Sequence, residues 1–264
     1  MKINAVILAA ALLPAGFAGL AHAQTNLVAN WSFEAGPAGQ NTFTDWGWVA
    51  GSDQNSDFGV AKATGGNEVA QQGSYFAYFR GHPTDNSQDC LGTGVNLKVG
   101  GVYNISYYLG TDGPLTNGAG IWIQIGVSFG LDPSAVALPS FFPHSTSALP
   151  YQKFNATYVA TNASVILSFH GINATNGMAV TNGILLDSVS MVQTYPPLTL
   201  HVSKPASLVL TWPFTNSPYR LQTNTSLNTP NWGTLTNVPV NVGTNNQVLL
   251  TMSTNFEFYR LTLP

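Results

Sequence analysis

Two carboxylates stand where strand-like runs would more easily carry apolar side chains. Glu34 ends NLVANWSFE (Asn26–Glu34), and Asp187 interrupts GILLDSVSMV (Gly183–Val192). An unpaired buried carboxylate is costly, so it must be protonated, hydrogen-bonded or bound to a cation. Asp187 shares the parity of Leu185, Val189 and Met191, which predicts that it projects toward the apolar side near the start of its strand. The two runs open and close one stretch of chain. They suggest a single β-domain whose first and last strands meet, with the two carboxylates sharing a cation. In the alternative reading, Glu34 is a solvated turn residue and Asp187 caps backbone N–H groups.

Aromatic residues form the second group with chemistry to offer. Trp31, Trp46, Trp48 and Trp122 all precede residue 194. Carbohydrate recognition sets flat aromatic faces against sugar C–H bonds and flanks them with amide and guanidinium hydrogen bonds. Trp122 and Gln124 share the face away from the apolar stripe Ile121, Ile123, Ile125, Val127 and Phe129. Tyr108 and Asn104 do the same on a second strand candidate. Trp48 lies in a Gly-rich stretch, and Arg80 ends a strand just before Gly81. These assign Trp48, Arg80, Tyr108, Trp122 and Gln124 as candidate ligand-binding residues. Simple packing is the competing reading for each tryptophan, and it is the expectation for Trp31 and Trp46.

Catalysis finds less support. A glycoside hydrolase needs two carboxylates facing each other across the scissile bond. The only glutamates are Glu34, Glu68 and Glu257, and no spacing pairs Asp53, Asp57, Asp85, Asp89 or Asp112 with a partner. No G-x-S-x-G, H-E-x-x-H or phosphate-loop pattern is present. His82, His144, His170 and His201 are isolated, which argues against a zinc site. Cys90 is the single cysteine, so no intrachain disulfide can form, and the acidic Asp85 and Asp89 beside it predict a passive thiol. The expectation is a non-enzyme.

Composition narrows the partners. Charged residues make up 7% of the chain, against roughly 25% in an ordinary globular protein. The 8 basic residues are scattered singly, which argues against nucleic acid. Lys2, the apolar run Ala5–Leu13, the breakers Pro14 and Gly16, and the small-x-small site Ala21-His22-Ala23 read as a signal peptide over residues 1–23. No later stretch is long enough to span a bilayer. The mature protein is therefore expected to be soluble and secreted or displayed at the cell surface.

These side chains have to be positioned by strands. Period-2 alternation dominates wherever apolar residues cluster. Strands are predicted at Leu27–Phe33, Trp46–Val49, Ser74–Arg80, Val102–Leu109, Ile121–Phe129, Phe154–Val159, Ser164–His170 and Leu185–Val192. This many strands without helical crossovers implies antiparallel sheets packed as a sandwich over residues 24–194. Tyr195-Pro196-Pro197 reads as a stiff linker. Residues 198–264 restart a β pattern, with strands at Leu198–Val202, Leu208–Trp212, Tyr219–Thr223, Val248–Met252 and Phe256–Leu261. Trp212 and Trp232 are predicted there as core anchors of a small immunoglobulin- or fibronectin-like module.

NLVANWSFE resembles the "NLLxNGxFE" opening of the jelly-roll, galactose-binding-like carbohydrate-binding modules attached to bacterial xylanases and glucanases. DWGWV (Asp45–Val49), GSYFAYFRG (Gly73–Gly81), VGGVYNISYYLG (Val99–Gly110), FNATYVATNASVILSFHG (Phe154–Gly171) and GILLDSVSMV follow the same layout. The resemblance implies a jelly roll, non-catalytic binding of a polysaccharide or glycan, and a structural calcium held by Glu34 and Asp187 with main-chain carbonyls. Calcium takes six to eight oxygens in flexible geometry. Residues 198–264, marked by "LTLHV", "YRLQTNTSL" and the terminal "FYRL", resemble a short β-module recurring at the C-termini of exported bacterial proteins. That likeness implies a spacer, attachment or sorting element. The competing expectation for the whole chain is a structural protein with a cell-surface or matrix partner and no sugar ligand.

Overall fold

Among the described residues every regular element is a β-strand, as the alternating pattern predicts. The computed structural model describes residues 25–36, 39–40, 43–48, 58–80, 88–115, 122–128, 137–141, 145–172, 182–196, 198–203, 207–214, 219–251 and 257–263. The expected signal peptide and Pro197 lie outside them, and among them no helix is long and apolar enough to cross a membrane.

Eleven strands form the first two sheets. They are β1 (Gly39–Gln40), β2 (Gly47–Trp48), β3 (Phe58–Lys62), β4 (Tyr75–Phe79), β5 (Gln88–Asn96), β6 (Val102–Thr111), β7 (Trp122–Ser128), β8 (Ala137–Phe141), β9 (Gln152–Val159), β10 (Ser164–Ile172) and β11 (Ile184–Thr194). One sheet has the order β1-β3-β4-β11-β6-β9, and the other β2-β5-β10-β7-β8. Their pairings are antiparallel. The alternate residues Tyr103, Ile105, Tyr107 and Leu109 of β6 meet Val165, Leu167 and Phe169 of β10 in a shared core. Tyr107 lies edge-on to Phe169 with ring centroids 5.4 Å apart. Two sheets burying one face each against the other make a jelly-roll sandwich.

The two ends of this unit do meet, but not as paired strands. The Leu27 N–H donates to the Met191 carbonyl at 2.9 Å, and the Val189 N–H to the Trp31 carbonyl at 2.8 Å. Asn26 reinforces the seam. Its Nδ2 donates to the Val189 carbonyl at 3.1 Å, and its Oδ1 accepts the Met191 N–H at 2.9 Å. The strand expected at Leu27–Phe33 is replaced by turns. Asn30 (φ 42°) and Phe33 (φ 61°) adopt left-handed backbone, which an extended strand does not allow. The turns drive Phe33 fully into the core, its ring centroid 5.2 Å from that of Trp46.

A β-bulge in β11 corrects the parity argument for Asp187. The register slips between Asp187 and Ser190, where Ser188 takes φ 52°. Before the slip Ile184 and Leu186 enter the core; after it Val189 and Met191 do. Leu185 and Asp187 therefore occupy the opposite, outward face. One inserted residue shifts the alternation, so parity does not carry across the slip.

The remaining strands are β12 (Thr199–Ser203), β13 (Ser207–Pro213), β14 (Arg220–Asn224), β15 (Gly233–Thr234), β16 (Val240–Val242), β17 (Asn245–Thr251) and β18 (Phe258–Thr262). They form sheets of order β12-β13-β17-β16 and β15-β14-β18. Leu210, Trp212, Tyr219, Leu221, Val248, Leu261 and Leu263 make a separate core. Trp212 is its anchor, as predicted. Trp232 is not: it is half-buried, with the Arg260 guanidinium 4.2 Å from its ring centroid. A cation on its face gives this indole a surface role. The Tyr219 hydroxyl donates to the Thr194 carbonyl at 3.3 Å, at the end of β11.

Candidate functional site

The residues 71–75 bring Glu34 and Asp187 to a common purpose. Asp187 Oδ2 accepts the N–H groups of Gln71 (2.8 Å) and Gln72 (2.9 Å), and Oδ1 accepts that of Ser188 at 2.5 Å. Glu34 Oε1 accepts the N–H groups of Ser74 (2.8 Å) and Tyr75 (2.7 Å). Gly73 lies between the two sets with φ +73°, and a Cβ there would stand 2.3 Å from the Glu34 carboxyl carbon. Only glycine allows this approach. The Ser188 hydroxyl also donates to Gln71 Oε1. Burial pushes the Asp187 carboxyl up to about 6, against the three N–H groups that favour its anion; the Glu34 charge adds a smaller upward push. Three of the four carboxylate oxygens accept main-chain N–H hydrogens. Among the described residues no three His, Cys, Asp or Glu side chains group together. The arrangement is a carboxylate clasp on main-chain N–H groups.

The clasp ties a strap across one half of the outward face of the six-stranded sheet. Residues 63–74 cross from β3 to β4, and Ala63 and Ala70 pack on Phe76, Tyr78 and Leu185. At the end of this half, Arg80 Nη2 reaches Glu68 Oε1 at 3.1 Å and Asp112 Oδ2 at 3.5 Å. Its guanidinium also lies 4.9 Å from the Tyr78 ring centroid. Asp112 Oδ1 accepts the Gly183 N–H at 2.6 Å. Burial raises the Asp112 carboxyl, an effect opposed by that N–H and by Arg80. A Cβ at Gly183 would come within 2.8 Å of Arg80 Cγ, so glycine clears the arginine's path to Asp112. Arg80 thus sits in a compensated ion cluster at the covered end of the face.

The other half of the same face, on β6 and β9, is open. Tyr108 pairs with Lys153, Ser106 with Asn155 and Asn104 with Thr157. Asn104, Lys153, Asn155 and Thr157 are exposed, while Ser106 and Tyr108 are half-buried. The Lys153 ammonium lies 5.8 Å from the Tyr108 ring centroid. Asn104, Asn155, Ala156 and Thr157 line a cavity of about 280 Å³. Tyr107, on the buried side of β6, stacks on Phe154 with centroids 5.6 Å apart, which stiffens the floor. The strip offers one aromatic ring, two amides and hydroxyl groups on adjacent strands. That inventory can hydrogen-bond a polyhydroxylated ligand, and it contains no nucleophile–base pair.

The sequence candidates therefore fall on two sheets. Arg80, the residue after β4, and Tyr108 of β6 lie at different parts of the six-stranded sheet. Trp48, Trp122 and Gln124 belong to the five-stranded sheet, where they stand in register with Leu91, Ile172 and His170. Lys153, Asn155 and Thr157 are additions, legible as alternate polar residues of a strand whose other face packs. On the five-stranded sheet, Cys90 Sγ lies 3.2 Å from His170 Nε2, and that nitrogen lies 2.9 Å from Ser168 Oγ. Burial lowers His170 to about 4, so the imidazole is neutral near pH 7. The three side chains are buried together.

No protein-family model matches the chain, and no curated protein matches it. Solved structures do. The structure of TmCBM61 in complex with beta-1,4-galactotriose is 20% identical, covering 64% of this chain and 99% of that one, with a TM-score of 0.42. A structure described as CBM4 structure and function is 19% identical over 63% of this chain and 99% of that one, TM-score 0.40. The K1 cleaved adhesin domain of Lys-gingipain from Porphyromonas gingivalis W83 is 14% identical over 60% and 98%, TM-score 0.43. The all-β sandwich stands on the strand order itself, independently of these likenesses.

Proposed function

We propose that the protein is an exported, non-catalytic binding protein that recognises a polysaccharide or other glycan on the open β6–β9 strip of its first domain. The observation that carries this reading is the row of Tyr108, Ser106, Asn155, Asn104 and Thr157 beside a cavity of about 280 Å³ on a face otherwise closed by the 63–74 strap. A pyranose stacked on Tyr108 would place its hydroxyls against the amides. The clasp belongs to this reading as scaffold: it fixes the strap to Asp187 of β11, the strand next to β6. We propose that its hydrogen bonds, and not a calcium ion, join Glu34 and Asp187 to the strap. The C-terminal module completes the proposal as an attachment element. Its strands form a four-stranded and a three-stranded antiparallel sheet around a core of their own, an arrangement compatible with a small immunoglobulin-like module.

A specific observation favours a second reading for the C-terminal module alone. Val238, Val240, Val242 and Leu249 are exposed there, which suits a cell-surface or matrix partner.

Affinity electrophoresis in gels containing neutral and acidic polysaccharides tests the first reading. The mature protein is expected to be retarded by at least one polymer. Tyr108→Ala and Asn155→Ala should weaken that retardation about tenfold, a change worth roughly 1.4 kcal/mol, while Trp122→Ala leaves it unchanged. Retardation by no polymer overturns the reading, and loss in Trp122→Ala alone moves the ligand to the five-stranded sheet.

A further inference from the structure

The open strip carries one charged group, and that group sits against its one aromatic ring. Lys153 lies 5.8 Å from the Tyr108 ring centroid and is exposed. The acidic groups of this face are otherwise engaged. Glu68 and Asp112 pair with Arg80 at the covered end. Asp187 stands opposite Tyr108 in register, but it is buried and accepts the N–H groups of Gln71, Gln72 and Ser188. Asn104, Ser106, Asn155 and Thr157 are neutral. Among the described residues, then, a cation with no acid paired to it marks the edge of the one aromatic platform on this strip.

The consequence for selectivity is asymmetric. A neutral sugar laid on Tyr108 must share the ring with the ammonium and gains no charge complement. A sugar bearing a carboxylate at its ring edge brings the anion that Lys153 lacks, in a charge-assisted hydrogen bond. Resting on the glycan reading above, we infer that the strip selects a uronate-containing glycan over its neutral counterpart. The contact is solvent-exposed, so each site contributes modestly, about fivefold in affinity, and it weakens with salt. Successive uronates along a polymer supply the same contact to whichever residue occupies the platform.

Calorimetric titration of the mature protein with sodium polygalacturonate and with its methyl-esterified form tests this directly. The acidic polymer is expected to bind about fivefold tighter at low ionic strength, with the preference shrinking at high salt. Lys153→Gln, an exposed substitution, should bring the two polymers to equal affinity, and Tyr108→Ala should weaken both. Equal binding of both polymers by the parent protein overturns the inference and leaves the glycan reading standing. So does binding only to other, neutral polysaccharides. If no polysaccharide binds at all, both fail.

Discussion

At the scale of the residue, the two carboxylates that interrupt strand-like sequence act through main-chain N–H groups. Five such bonds reach Glu34 and Asp187, four of them from residues 71–75. Gly73 makes the arrangement possible. Gly73→Ala should destabilise the first domain by about 2 kcal/mol, because the methyl group meets the Glu34 carboxylate and the backbone is left-handed. Gly66→Ala is the control. Its φ is +68° but nothing lies within 4 Å of the added Cβ, so it should cost about 1 kcal/mol or less. Equal losses in denaturant melts would show that the clasp adds nothing. The hydrogen-bonded clasp also predicts an unchanged melting temperature when a chelator is added. A rise on adding calcium would instead place an ion at the pair. The sequence made the dilemma of Asp187 visible but not its resolution, because the donors are backbone atoms that any residue type supplies.

At the scale of the element, alternation located most long strands because each has one face in the core. Val102–Leu109 and Ser164–His170 fall within β6 and β10 for that reason. Strands β3 and β5 were not legible. FGVAK is short, and QDCLGTGVN alternates its apolar residues with glycines that read as loop. The bulge in β11 and the turns at 28–35 escaped for another reason: both depend on backbone angles that local composition does not dictate. The N-terminal segment is held to β11 by a few hydrogen bonds, of which Asn26 makes two to that strand. Asn26→Ala should therefore release it. Amide exchange at Leu27 and Val189 should accelerate at least about tenfold while the β6–β10 core stays protected. Uniformly faster exchange across the domain would mean instead that the seam is part of the global unfolding unit.

At the scale of the whole molecule, the main core of the larger sandwich is separate from that of the C-terminal unit. Trp212, 1% exposed, anchors the smaller one. Trp212→Ala should cost about 3–5 kcal/mol, enough to unfold a module of that size. Calorimetry should then lose one transition and keep the other at its original midpoint; a single transition that shifts as a unit would contradict independent cores. The proposed binding strip lies on the larger sandwich, and the sequence half revealed it. Tyr108 and Asn104 were legible by parity, whereas the pairing that sets Lys153, Asn155 and Thr157 beside them comes from strand register, which is not written locally. The most direct measurement is an amide chemical-shift map of the protein titrated with a polysaccharide that retards it. The account predicts shifts clustered at Asn104, Ser106, Tyr108, Lys153, Asn155 and Thr157. Shifts confined to β7 or to residues 198–264, with this strip silent, would contradict it.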